Sequence, residues 1–145
     1  MHSGWCLFFT LGFLAINIMI RVSLGTLRDN PKCDCAQTWK ADYIAALSTG
    51  CIVLSTVNLV LPFTRIINNI PIVSTIFTWG LVLGLVMYMF VLSSLADDLF
   101  SDKCSDICKI DNVPGSSVLR SVKSMDTTYL IVLGIGMGIG LLYFN

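Results

Sequence analysis

The sequence has no glutamate, and its only histidine is His2. Acid–base and nucleophilic catalysis draw on groups that titrate near neutrality, and this chain offers few of them, so we expect no catalytic residue, no cofactor and no enzyme. Charge of either sign is scarce. Only 12% of the 145 residues are charged, against about 25% in soluble domains. Residues 1–20, 43–64, 66–96 and 127–145 contain no Asp, Glu, Lys or Arg at all. Transport usually needs ionisable groups inside such runs, often with internal repeats, and neither is visible. There is no T-V-G-Y-G filter and no G-x-x-x-x-G-K loop, so potassium-channel and nucleotide-hydrolase readings lack support. Nine basic residues balance nine aspartates, and a net charge of zero predicts no nucleic-acid partner.

What remains is apolar. Hydrophobic residues make up 55% of the chain and its mean hydropathy is +0.81. The charge-free runs are 20, 22, 31 and 19 residues long. Crossing the roughly 30 Å hydrocarbon core takes about 20 residues of helix, so each run fits one span and the longest is too short for two. Backbone amides in hydrocarbon must bond within their own segment, which makes helices of these runs. Their cores are placed at Gly4–Ile20, Tyr43–Phe63, Ile72–Leu92 and Thr128–Phe144. The expected fold is an all-α integral membrane protein, residues 1–145 forming one four-transmembrane-helix bundle with two cysteine-bearing loops on one side. The first run has neither a basic segment before it nor a small-x-small site before Arg21, so we expect a retained helix rather than a cleaved signal.

Four spans put loops 21–42 and 97–126 on one face and the turn around Arg65, bracketed by Pro62 and Pro71, on the other. The long loops carry Arg21, Arg28, Lys32, Lys40, Lys103, Lys109, Arg120 and Lys123. Arg65 alone opposes them, so the positive-inside rule directs the long loops to the cytosol. The same loops hold Cys33, Cys35, Cys104 and Cys108, and paired loop cysteines ordinarily signal an oxidising compartment.

Cys33-x-Cys35 does not readily bridge itself, whereas Cys104 and Cys108 are spaced to bridge one turn or to reach the first loop. Structural disulfides, a four-thiolate zinc site and free thiols are the alternatives; Cys-x2-Cys is the usual zinc spacing, and no metal site is expected. Cys6 and Cys51 lie in apolar runs and read as packing residues. Trp39 and Tyr43 read as interfacial anchors, with Lys40 snorkelling beside them.

The stretch Lys32-Cys33-Asp34-Cys35-Ala36-Gln37-Thr38-Trp39-Lys40-Ala41-Asp42-Tyr43-Ile44 has the form C-x-C-A-x-x-W-[KR]-x-x-Y-I and leads into a membrane helix. It resembles a motif in small membrane proteins of nucleocytoplasmic large DNA viruses, including those of algae and protists. The likeness covers about thirteen residues and the helix spacing, and it departs from the denser W-R-[RK] pattern in having only Lys40 beside Trp39. The resemblance implies a structural protein of the virion inner membrane that meets capsid or minor capsid proteins through loops 21–42 and 97–126. It also reconciles the loop signals, because such viruses assemble in the cytoplasm and encode their own thiol oxidases. Two other readings are a quinone-linked disulfide-forming oxidoreductase, whose reactive pair is normally Cys-x-x-Cys, and a cellular tetraspan scaffold.

Gly134/Gly138, Gly136/Gly140 and Gly80/Gly84 each have G-x-x-x-G spacing, which lets helix backbones approach where lipid supplies no hydrophobic drive. Asn17 and Asn58 are amides within the spans, each predicted to need an interhelical partner other than its counterpart. Loop 97–126 begins acidic at Asp97 and Asp98 and ends basic at Arg120 and Lys123, which we read as a protein-contact surface. It has several aspartates but no EF-hand spacing.

Overall fold

A computed structural model of the chain describes residues 2–60 and 71–143. Among the described residues every regular element is helical. Four long helices, α1 (His2–Arg28), α2 (Trp39–Val60), α3 (Pro71–Leu99) and α6 (Thr127–Tyr143), are joined at one end by a compact region. That region holds α4 (Asp102–Cys108), α5 (Ser116–Ser124) and single 3-10 turns at Asp34–Ala36 and Ile110–Asn112. Two helices, Thr10–Arg28 and Thr75–Leu99, are long and apolar enough to cross a membrane.

α1 runs about two turns past the end predicted at Ile20. The cause is legible locally: Ile20, Ser23, Leu24 and Leu27 fall on one face at helical spacing, and all four are buried. The first loop therefore shrinks to a short connection before α2. Within it Asn30 accepts the Lys32 amide at 3.1 Å through its side chain and the Cys33 amide at 3.0 Å through its carbonyl, a tight turn that aims the cysteines inward. The second loop is likewise not open chain. α5 buries Leu119 and Val122 and leaves Arg120 and Lys123 outside. Asp126 then caps α6, its carboxylate accepting the Thr128 amide at 3.2 Å.

The long helices alternate in direction. Lys40 meets Ser94 and Asp98 while Ser48 meets Tyr88, so α2 and α3 are antiparallel. α1 packs along α2, and α3 along α6. Burial is concentrated at the closed end. Ile20, Leu24, Leu27, Ile44, Leu92, Leu95, Leu99, Ile110 and Leu119 are sealed there, whereas Ile72, Ile76, Trp79 and Leu83 on the far half of α3 are exposed.

The predicted turn around Arg65 lies outside the described residues, as do the surroundings of Cys6, Asn58, Gly138 and Gly140.

Candidate functional site: the stapled cap

The closed end, called the cap here, is pinned by two cross-loop disulfides. Cys33 pairs with Cys108 and Cys35 with Cys104, with Cα–Cα distances of 4.9 and 6.2 Å, both within the range disulfides adopt. The pairs are nested like two rungs, joining the Asp34–Ala36 turn to α4. Cys104 and Cys108 stand four residues apart on a helix, so both sulfurs leave from one face, and the two-residue offset of Cys33 and Cys35 spans the matching distance. Of the pairings that spacing left open, the structure takes the cross-loop one rather than Cys104–Cys108.

The rungs differ in surroundings. Cys33 is fully buried and Cys108 is 2% exposed, both inside the apolar cluster with Leu27, Ala36, Leu99 and Ile110. Cys104 is buried at 5%, while Cys35 is only partly buried and packs on the cluster's edge.

Several cap contacts differ from what the sequence implied. Lys40 does not snorkel: its Nζ donates to Asp98 Oδ2 at 2.6 Å and Ser94 Oγ at 2.8 Å, because the start of α2 lies against the end of α3. Trp39 remains 67% exposed at the base of the cap, and Tyr43 packs half-buried on the core. The exposed cations at the basic end of the second loop also meet partners within the chain. Arg120 pairs with Asp111, Lys123 donates to the Phe100 carbonyl at 2.9 Å, and both cations stand within 6 Å of the Phe100 ring centroid. Lys123 thereby satisfies a carbonyl at the end of α3. Arg28 and Asp42 form a further pair at 2.8 Å, bridging α1 and α2. The outward-facing residues of α4, Lys103, Asp106 and Ile107, are exposed.

Just beneath the cap lies a buried polar bridge. The Tyr88 hydroxyl of α3 donates to Asn17 Oδ1 of α1 at 3.1 Å and lies 3.0 Å from Ser48 Oγ of α2, while Asn17 Nδ2 donates to the Phe13 carbonyl at 2.8 Å. Asn17 thus finds an interhelical partner. Nothing in the sequence marked Tyr88 or Ser48, since a single tyrosine in a long apolar run reads as packing.

Gly115 is a second residue that spacing did not reveal. Its φ is +81°, and a Cβ there would stand 2.9 Å from the Met19 carbonyl oxygen. The Pro114–Gly115 corner closes on α1, where Ser23 Oγ lies 2.6 Å from the Pro114 carbonyl and 2.9 Å from that of Met19. The Pro114-Gly115 dipeptide is a turn signal in its own right.

The glycine faces divide. A Cβ on Gly134 would meet Met89 at 3.1 Å and the Leu85 carbonyl oxygen at 3.5 Å, so α6 approaches α3 closely there. Among the described residues, a Cβ on Gly80, Gly84 or Gly136 would meet nothing within 4 Å.

Comparison with protein-family profiles, characterised proteins and solved structures gives no match.

Proposed function

We propose that the chain is a structural protein of a large DNA virus particle, held in the inner membrane by four spanning helices and touching capsid or minor capsid proteins through its stapled cap. The observation that carries this reading is the cap. Two disulfides close an apolar core at one end of helices whose flanks are apolar and exposed, among them Phe8, Leu11, Ile76, Trp79, Leu83 and Phe90. In this reading the charge-free part of α2, residues 43–60, and the 17-residue α6 serve as the other two spans.

A cap made rigid before it meets a partner avoids part of the ordering cost of binding. α4 is fixed through Cys104 and Cys108, and its outer residues Lys103, Asp106 and Ile107 form the contact ridge. The basic residues direct the cap to the cytosol, where a stable disulfide needs a dedicated oxidant. The resemblance of the Cys33–Ile44 stretch to large-DNA-virus membrane proteins supplies that setting. A quinone-linked thiol oxidase carries a Cys-x-x-Cys pair within one loop, and no Cys-x-x-Cys occurs in this chain.

Mass spectrometry of purified particles is the test, with the chain expected in the detergent-extracted membrane layer. Its absence there would overturn the virion reading in favour of a cellular scaffold. Topology is tested separately by labelling reduced, sealed vesicles with a membrane-impermeant maleimide. Cys33 and Cys104 are expected to label from one side, and labelling from opposite sides would refute four spans.

A further inference from the structure

The two rungs are equivalent in sequence pattern but not in surroundings. Cys33 and Cys108 lie within the apolar cluster, with almost no surface of their own. The second pair sits at its edge: Cys104 is 5% exposed, and Cys35 is the one disulfide sulfur of the four whose residue keeps appreciable surface. Thiol–disulfide exchange needs a thiolate to reach a sulfur, so its site is set by access as well as by thiol chemistry. Of the four cysteines, only Cys35 keeps residue surface along which a dithiol could approach the pair.

We propose that Cys35–Cys104 is an exchange site, attacked at Cys35 by a dithiol partner, while Cys33–Cys108 is a permanent staple. In the first step a thiolate of the dithiol attacks Cys35 Sγ. The Cys35–Cys104 bond breaks as a mixed disulfide forms on Cys35, and Cys104 leaves as a thiolate that takes a proton from water. In the second step the partner's other thiolate attacks its own sulfur in the mixed disulfide. The partner becomes an intramolecular disulfide, Cys35 departs as a thiolate and is protonated, and two electrons have passed from the dithiol to the cap. Run in reverse, with an oxidised partner, the same sulfur is the point at which the outer rung is installed. Opening Cys35–Cys104, the outer rung at the edge of the cluster, frees the first turn of α4 and the Asp34 corner, while the buried Cys33–Cys108, the inner rung, keeps the loops joined.

The full chain in detergent micelles or liposomes is treated with graded dithiothreitol, quenched by rapid alkylation and mapped by peptide mass spectrometry. Cys35 and Cys104 are expected to become alkylated together at least tenfold faster than Cys33 and Cys108. Equal rates, or faster loss of the inner rung, would overturn the proposal. The direction of attack is read from two variants incubated with oxidised glutathione. Cys104→Ser is expected to take glutathione on Cys35 at least tenfold faster than Cys35→Ser takes it on Cys104, and comparable rates would refute Cys35 as the entry sulfur. The wild-type reduction series needs no substitution, so it decides the proposal even where a variant folds poorly.

Discussion

Removing the rungs one at a time separates chain entropy from packing. Either disulfide alone closes a segment of about 70 residues, the separations being 75 and 69, and such closure removes about 4.5 kcal/mol of unfolded-state entropy. Once one rung exists, the second closes only the small ring through residues 33–35 and 104–108, about eight residues, for about 2.5 kcal/mol. Cys35→Ala with Cys104→Ala should therefore destabilise the cap by about 2–3 kcal/mol. Cys33→Ala with Cys108→Ala loses the same entropy and also leaves an unfilled volume in the apolar cluster, a further 1–3 kcal/mol or so. Removing all four sulfurs should cost about 7 kcal/mol or more, well beyond twice the outer-rung loss. Thermal unfolding of detergent-solubilised protein, followed through fluorescence of Trp39 at the base of the cap, should rank the variants in that order. An outer-rung variant less stable than the inner-rung one, or a four-alanine variant no worse than either, would refute the reasoning.

Three further substitutions test separate contacts. Tyr88→Phe removes the hydroxyl that bridges Asn17 and Ser48, leaving buried polar groups unpaired, and should lower stability by about 1–3 kcal/mol in the same melt; an unchanged midpoint would mean the bridge is energetically idle. Gly115→Ala combines a positive φ with an approach of 2.9 Å to the Met19 carbonyl oxygen and should destabilise the cap by about 1–3 kcal/mol; proteolysis of loop 97–126 should quicken, and full protection would contradict the geometry. Gly134→Leu should disrupt α3–α6 packing whereas Gly136→Leu, facing open space, should not; crosslinking between cysteines introduced at the α3–α6 contact reads the difference, and equal effects would refute it.

The charge-free runs already located the long helices, because long apolar stretches without charge or turn signals are compatible with helix and little else. The stripe of Ile20, Ser23, Leu24 and Leu27 could have extended α1 into the cap by periodicity alone. The amphipathic pattern of α5 was legible in the same way, as were Asp126 before α6 and Pro114-Gly115 at the corner. Spacing could also limit the cysteines, since Cys33 and Cys35 are poorly placed to join each other.

Other features depend on distance along no local pattern. Which cysteine meets which follows from the offset between the Asp34–Ala36 turn and the inner face of α4, fixed only when α1 and α3 have docked. Glycine spacing is identical at Gly80/Gly84 and Gly134/Gly138, yet only Gly134 is shown in close contact, because packing rather than spacing determines which face has a neighbour. Tyr88 becomes a polar bridge because antiparallel packing sets it level with Asn17 and Ser48. Lys40, Arg120 and Lys123 each gain a partner within the chain that spacing could not indicate, since the helix ends they flank converge at one place. Composition marked out the long apolar helices, and the meeting of the helix ends determined what those segments hold in common.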